Sequence, residues 1–142
     1  MHDGSIAGTW RLTNYEARGE DGSVSSPLGP DAVGYLIYTD DGFMSVAMMA
    51  AGREGYAQED LLGGTDAEKL AAAEGFFSYC GRYEIDGDSV LHHIDVAFFP
   101  NRIGSSQRRY FRLEGDRLLL TTPPMMIKGV EKVGHIQWER AR

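Results

Sequence analysis

The stretch that most constrains the fold of this chain covers residues 79–122. It contains runs of alternating apolar and polar residues, separated by residues 86–88, 99–104 and 114–116. Asp-Gly and Gly-Asp steps between β-rich runs are strong hairpin signals, because glycine adopts the positive φ that tight turns require. The stretch therefore predicts an antiparallel meander of four strands.

The alternation within this meander brings polar residues onto faces that are otherwise apolar. Successive side chains of a strand point to opposite faces, and the more apolar face is expected to point inward. The inward faces then carry Val90, His92, Ile94 and Val96 on the second strand, and Gln107, Arg109, Phe111 and Leu113 on the third. Tyr83 joins them if Tyr83 and Ile85 are the inward pair of the first strand. A buried cation and a buried imidazole are costly unless a partner compensates them, so this pattern indicates a site.

The rest of the chain predicts four further strands and one helix. The strands are expected at residues 8–18, 34–38, 43–48 and 131–140. A helix near residues 66–79 is indicated by the capping-box pattern that begins at Thr65 and by the alanine-rich run after it. Its apolar face, formed by Leu70, Ala73, Phe76 and Phe77, would pack against an end or wall of the fold, or the helix would serve as a movable lid.

Eight antiparallel strands joined by short connections can close into a barrel, which removes the exposed sheet edges. The predicted fold is therefore all-β: an eight-stranded antiparallel up-and-down barrel with one inserted helix. Residues 1–142 are expected to form a single domain. A barrel of this size holds either packed side chains or one small ligand.

Composition and charge exclude several classes of function. The net charge is −7 and the arginines are scattered, which argues against nucleic-acid binding. The one cysteine, Cys80, excludes an internal disulfide and a multi-cysteine zinc site. His92 and His93 lie on opposite faces of a strand, so no metal site is expected, and no cofactor is expected either. The sequence has no apolar leader and no membrane-spanning stretch, which predicts a cytoplasmic protein that does not enter a membrane.

Several sequence blocks resemble the bacterial and fungal lipocalin-like domain family. These blocks are GTWRL, GPDAVGYLIYTDDGFMSV, LLGGT, YCGRYEIDGDSVLHH and FPNRIGSSQRR, and they cover nearly the whole chain. The resemblance implies an eight-stranded barrel with a central cavity. It also implies that Trp10 on the first strand packs at the base of the barrel under Arg140 from the last strand.

The residues support two hypotheses about a ligand site and one without a ligand. In the first, a cofactor-free isomerase or cyclase acts on a mostly apolar, carbonyl-containing metabolite, with His92 and Arg109 as catalytic residues. The expected ligand contacts are Tyr38, Met44, Tyr83, Gln107 and Phe111. In the second, the protein is a non-catalytic carrier or sensor of a small hydrophobic or acidic ligand. In the third, a filled barrel serves as a partner-binding module.

Two questions stay open at this level. Arg109 is either an anchor for a carbonyl or acidic ligand or the structural partner of Glu16 or Glu84. The chain is also a candidate homodimer.

Overall fold

The computed structural model describes residues 5–142 of the chain. It contains ten strands, one α-helix (α1) and one short 3₁₀ turn, Pro100–Arg102. The strands are β1 (Gly8–Gly19), β2 (Val24–Ser25), β3 (Val33–Tyr38), β4 (Phe43–Met49), β5 (Phe76–Asp86), β6 (Ser89–Ala97), β7 (Ser106–Glu114), β8 (Arg117–Thr121), β9 (Met125–Ile127) and β10 (Val130–Arg140). Helix α1 spans Asp66–Glu74.

Eight of these strands form a closed antiparallel barrel. The strand order is β1-β3-β4-β5-β6-β7-β8-β10, and β10 pairs with β1 to complete the ring. The short strands β2 and β9 extend its rim by pairing with β1 and β10. The predicted meander, the eight-stranded barrel and the single inserted helix are therefore confirmed. In the described part of the chain, no helix is long and apolar enough to cross a membrane.

The first and last strands are joined at the base of the barrel by an aromatic–cation pair. Trp10 and Arg140 are register partners, and the guanidinium carbon of Arg140 lies 4.2 Å from the centroid of the Trp10 ring. The guanidinium also donates to the carbonyl oxygens of Ala7 and Ser5, at 2.9 and 3.0 Å, and the indole of Trp10 donates to that of Ile6. This arrangement confirms the expected packing and caps one end of the barrel.

A β-bulge between β5 and β6 changes the predicted alternation. The register shifts between Cys80 and Gly81, so that Cys80 faces Val96 while Gly81 faces Ile94. Val90 and Ile94 are buried as predicted, but Val96 is 63% exposed, so the prediction that it points inward is wrong. A period-two pattern cannot be continued across an extra residue, because a one-residue slip moves each following side chain to the other face.

Helix α1 is shorter and less buried than predicted. Its capping box is present, since the Thr65 hydroxyl accepts from Glu68 N and the Glu68 carboxylate accepts from Thr65 N. The helix ends at Glu74, however, and the next residues begin β5. The predicted apolar helix face is therefore wrong: Leu70 is 61% exposed, while Phe76 and Phe77 belong to a strand. Pairing of Phe76 and Phe77 with β4 overrides the helical spacing of the sequence.

Candidate ligand-binding site

The barrel encloses a cavity of about 300 Å³, which lies in the size range of small-molecule sites. Its wall is mostly apolar and includes Leu28, Leu36, Val46, Met48, Phe77, Leu120 and Ile136. A smaller polar group also lines it, formed by Tyr15, Tyr79, His92, Arg102, Arg109 and Thr122. The cavity reaches the surface where the exposed residues Glu74, Phe99 and Met126 border it.

His92 is held between two tyrosines. Its Nε2 lies 2.7 Å from the hydroxyl oxygen of Tyr38, and its Nδ1 lies 2.6 Å from that of Tyr79. Burial above all, and then the nearby charges of Arg109 and His93, lower the pKa of His92 from 6.5 to about 3. The imidazole is therefore neutral near pH 7, with one ring nitrogen protonated and the other able to accept a hydrogen bond.

Arg109 enters the cavity without a carboxylate partner in the described part of the chain. It is 6% exposed, and its Nη1 donates to the carbonyl oxygen of Arg108 at 2.9 Å. The two acidic residues that were candidate partners pair elsewhere. Glu16 binds Arg18 at 3.0 Å, and Glu84 binds His93 at 2.6 Å. These pairings leave the Arg109 guanidinium available to a ligand.

A second guanidinium, that of Arg102, lines the same cavity. It comes from the 3₁₀ turn between β6 and β7, and it donates from Nη1 to the side-chain oxygen of Gln107. Burial and the charge of Arg109 lower the pKa of Arg102. The cavity therefore contains two cations close enough to influence each other.

Two tyrosines add phenolic hydroxyls to this polar group. Burial raises the pKa of both Tyr15 and Tyr79, while the charges of Arg109 and Arg102 act in the opposite direction. A hydrogen bond from Arg109 also opposes the rise in the pKa of Tyr79. Both phenols are therefore neutral near pH 7, and the cationic neighbours would stabilise negative charge that develops on oxygen at this place.

The ligand contacts predicted from the sequence divide into two groups. His92 and Arg109, the predicted catalytic residues, both line the cavity. Tyr38, Met44, Tyr83, Gln107 and Phe111 are not part of its wall. Their roles as ligand contacts stay predictions.

Each of these five residues has a contact that the structure identifies. The Tyr38 hydroxyl is hydrogen-bonded to Nε2 of His92. The ring of Tyr83 packs edge-on against the ring of Tyr38, with 4.7 Å between the ring centroids. Gln107 holds Arg102, Met44 is part of the buried core, and Phe111 packs against that core. Of the five, Tyr38 and Gln107 therefore bind residues of the cavity wall directly, namely His92 and Arg102.

Arg102 and Trp138 line the cavity, although neither was predicted to do so. Arg102 lies in a turn, where no strand alternation indicates which way a side chain points. Trp138 belongs to β10, and its alternation does indicate an inward side chain, because Ile136, Trp138 and Arg140 share one buried face. That signal was present in the sequence. For Arg102 the only signal was a basic residue in the connection between β6 and β7.

A closed barrel with an apolar cavity and a small polar cluster on its wall defines a small-molecule-binding β-barrel. The chain belongs to the lipocalin-like domain family, which it matches over residues 7–141. This match confirms the resemblance seen in the sequence blocks.

Similar proteins include one curated relative and two solved structures. The 4'-hydroxy-3'-methoxypropiophenone carrier protein ppsC of Aspergillus oryzae is 29% identical over 106 residues, covering 68% of this chain and 96% of that protein. The lipoprotein YedD of Klebsiella pneumoniae has a TM-score of 0.46 at 11% identity, covering 99% of this chain and 75% of that one. A variant of the fluorescent protein UnaG has a TM-score of 0.41 at 12% identity, covering 96% of both chains.

Proposed function

We propose that this protein is a carrier that encloses a small, mostly apolar molecule with a carbonyl or phenolic oxygen and does not transform it. The observation that carries the proposal is the cavity of about 300 Å³, whose apolar wall is interrupted by one cluster of hydroxyl and guanidinium groups. Apolar walls bind the body of such a ligand, and the polar cluster fixes the position of its oxygen.

The state of His92 favours a carrier over an isomerase or cyclase. A general base works best with a pKa near the operating pH, whereas the pKa of His92 is lowered to about 3. Both ring nitrogens are also occupied by tyrosine hydroxyls, so neither is free to take a proton from a substrate. In this arrangement His92 positions Tyr79, and the cluster supports binding better than proton transfer.

The relative from Aspergillus oryzae supports the same proposal. Its name describes a carrier of an aryl ketone with a phenolic hydroxyl and a methoxy group. Such a molecule has a flat apolar ring with oxygen atoms at its edge. These features match apolar walls with hydroxyl and guanidinium groups on one side. A phenolic aryl ketone is therefore a suitable first ligand to test.

The experiment is calorimetric titration of the purified protein with 4'-hydroxy-3'-methoxypropiophenone, followed by mass spectrometry of the recovered ligand. We expect saturable one-to-one binding and unchanged ligand. Met48 lines the cavity, and its neighbour Met49 points to the outside of β4, which gives a matched pair of variants. Met48→Trp should weaken binding by at least about tenfold, or about 1.4 kcal/mol, while Met49→Trp should not.

Two results would contradict the proposal in different ways. Conversion of the ligand at a rate that requires His92 would support an enzyme instead. Equal binding by the Met48→Trp and Met49→Trp proteins would place the ligand outside the cavity. Thermal melting of both variants controls for overpacking, which typically costs about 1–3 kcal/mol in a core.

A further inference from the structure

The polar groups of the cavity are dominated by hydrogen-bond donors. Trp138 lines the cavity, and its Nε1 is buried without a hydrogen-bond partner in the described part of the chain. The Nε of Arg102, from another residue of the same wall, is also buried and unpartnered within residues 5–142. Indole and guanidinium nitrogens donate only. A ligand that satisfies them must therefore bring acceptor oxygens.

The hydrogen-bond chain through His92 adds a further donor. Tyr38 is 1% exposed, and within residues 5–142 the ring of His92 is the hydrogen-bond partner found for its hydroxyl. If the Tyr38 proton goes to Nε2, the neutral ring carries its own proton on Nδ1 and donates it to Tyr79. The hydroxyl proton of Tyr79 is then free for a ligand in the cavity.

The cavity is also cationic, although the whole chain is acidic. The cavity wall contains Arg102, Arg109 and one carboxylate, the exposed Glu74, whereas the net charge of the chain is −7. The mutual repulsion of the two guanidiniums is one cause of the lowered pKa of Arg102. A buried anion between them would relieve this repulsion, and the two cations would offset the cost of removing the anion from water.

We infer that the cavity binds its ligand as an oxyanion, that is, as the deprotonated form of a mostly apolar phenol, enol or carboxylic acid. This inference rests on the proposed carrier function and specifies the ligand class. Arg109 and Arg102 supply the positive charge, and Tyr79 and Trp138, which line the same cavity, supply hydrogen-bond donors. On binding, the acid releases its proton to solvent, and its pKa in the complex falls below its pKa in water.

The test compares two probes that differ in one ionisable group. 4-Nitrophenol and 4-nitroanisole share the nitrobenzene ring, but the second is a methyl ether and cannot ionise. Titrations are made at a pH at which free 4-nitrophenol is mostly protonated. We expect 4-nitrophenol to bind at least about tenfold more tightly than the ether, and its yellow phenolate band to appear on binding.

Variants then test which side chains cause the preference. Arg109→Met and Arg102→Met should each reduce the preference for the phenol over the ether by about tenfold and weaken the phenolate band. Arg112→Met is the matched control, because its side chain is 70% exposed on the same strand as Arg109. It should leave both readouts unchanged. Thermal melting of each variant shows whether it is folded.

The outcomes separate this inference from the carrier function. Equal binding of the two probes, with no phenolate band, would overturn the inference and leave the carrier function intact. Binding of neither probe would contradict both. Because the comparison of phenol and ether uses the unmodified protein, it stays decisive even if an arginine variant does not fold.

Discussion

The hydroxyl oxygen of Tyr79 lies 2.6 Å from Nδ1 of His92, so the phenol on the cavity wall is positioned by a buried imidazole. A second tyrosine, Tyr38, holds the other ring nitrogen at 2.7 Å. The imidazole therefore has no freedom to rotate without losing two hydrogen bonds, each worth about 1 kcal/mol net. The contacts that hold Tyr79 in place also occupy both ring nitrogens of His92, as the proposed carrier function requires.

The buried His92 makes stability depend on pH. Its pKa is about 3 in the folded state and 6.5 without the protein environment, so the unfolded chain takes up the proton first as the pH falls. The stability that neutral His92 contributes is therefore fully present above about pH 6.5. It is lost as the pH falls from 6.5 toward 3, at about 1.4 kcal/mol per pH unit.

Chemical denaturation of the native protein and of His92→Gln at pH 7.0, 5.5 and 4.5 tests this expectation. As the pH falls, the free energy of unfolding of the native protein should decrease more steeply than that of His92→Gln. The difference corresponds to the uptake of about one proton, because the glutamine cannot be protonated. His135, whose pKa is also lowered by burial, titrates in both proteins and cancels in the comparison. Parallel pH profiles would show that His92 is not the group responsible.

The pair formed by Trp10 and Arg140 should be a main source of barrel stability. Trp10 is completely buried, and truncation of such an aromatic residue typically costs about 3–5 kcal/mol. We expect Trp10→Ala to lower the free energy of unfolding by that amount in urea titrations, and Trp10→Phe to lower it by less. A loss below about 1 kcal/mol for Trp10→Ala would mean that this pair does not join the first and last strands.

The close approach of the strands at the bulge between β5 and β6 predicts the effect of one added methyl group at Gly81. A Cβ at Gly81 would collide with the carbonyl oxygen of His93, whereas a Cβ at Gly55 meets no atom within 4 Å. Gly81→Ala should therefore destabilise the barrel by more than about 1 kcal/mol, in the range of overpacked cores, and should disturb the strand that carries His92. Gly55→Ala is the matched control and should change the melting temperature little. Equal melting temperatures of the two variants would contradict the close approach at Gly81.

The sequence predicted the barrel more completely than the site, for a physical reason. Hairpin turns and strand alternation are local signals, so the meander and the inward positions of His92 and Arg109 followed from residues 79–122. Arg102 lies in a connection, where side-chain direction depends on the contacts made after folding. The register shift at Gly81 likewise depends on pairing between strands, and it is the reason why Val96 was placed on the wrong face.

For the helix, the start was predicted correctly from the sequence and the end was not. The capping box at Thr65 and Glu68 is a short-range pattern, and the structure confirms it. The end of the helix was misplaced because Phe76 and Phe77 fit both a helical face and a strand. Pairing with β4 decides between them, and the sequence of the helix contains no information about that partner.

The last prediction concerns the hydrogen-bond chain from Tyr38 through His92 to Tyr79, because its two tyrosines should affect ligand binding differently. Tyr79 lines the cavity, and Tyr79→Phe removes the hydroxyl that we propose as a donor to the ligand. It should weaken binding of 4-nitrophenol by roughly tenfold while changing that of 4-nitroanisole less, because hydrogen bonds to a charged oxygen are worth about 1.5–3 kcal/mol. Tyr38→Phe leaves the wall of the cavity intact but removes the hydroxyl that is hydrogen-bonded to Nε2 of His92, which is the donor in the proposed chain. The ring can then move its proton from Nδ1 to Nε2, and Tyr79 turns its hydroxyl proton toward His92.

Nitrogen-15 NMR of the His92 ring reports this change directly. The native protein should show the proton on Nδ1, and Tyr38→Phe should shift the population toward Nε2 and weaken phenol binding without any change in the lining of the cavity. A native ring protonated on Nε2 would mean that Tyr79 already donates to His92. The free donor assigned to Tyr79 would then be wrong, and the two guanidiniums and Trp138 alone would have to hold the ligand oxygen.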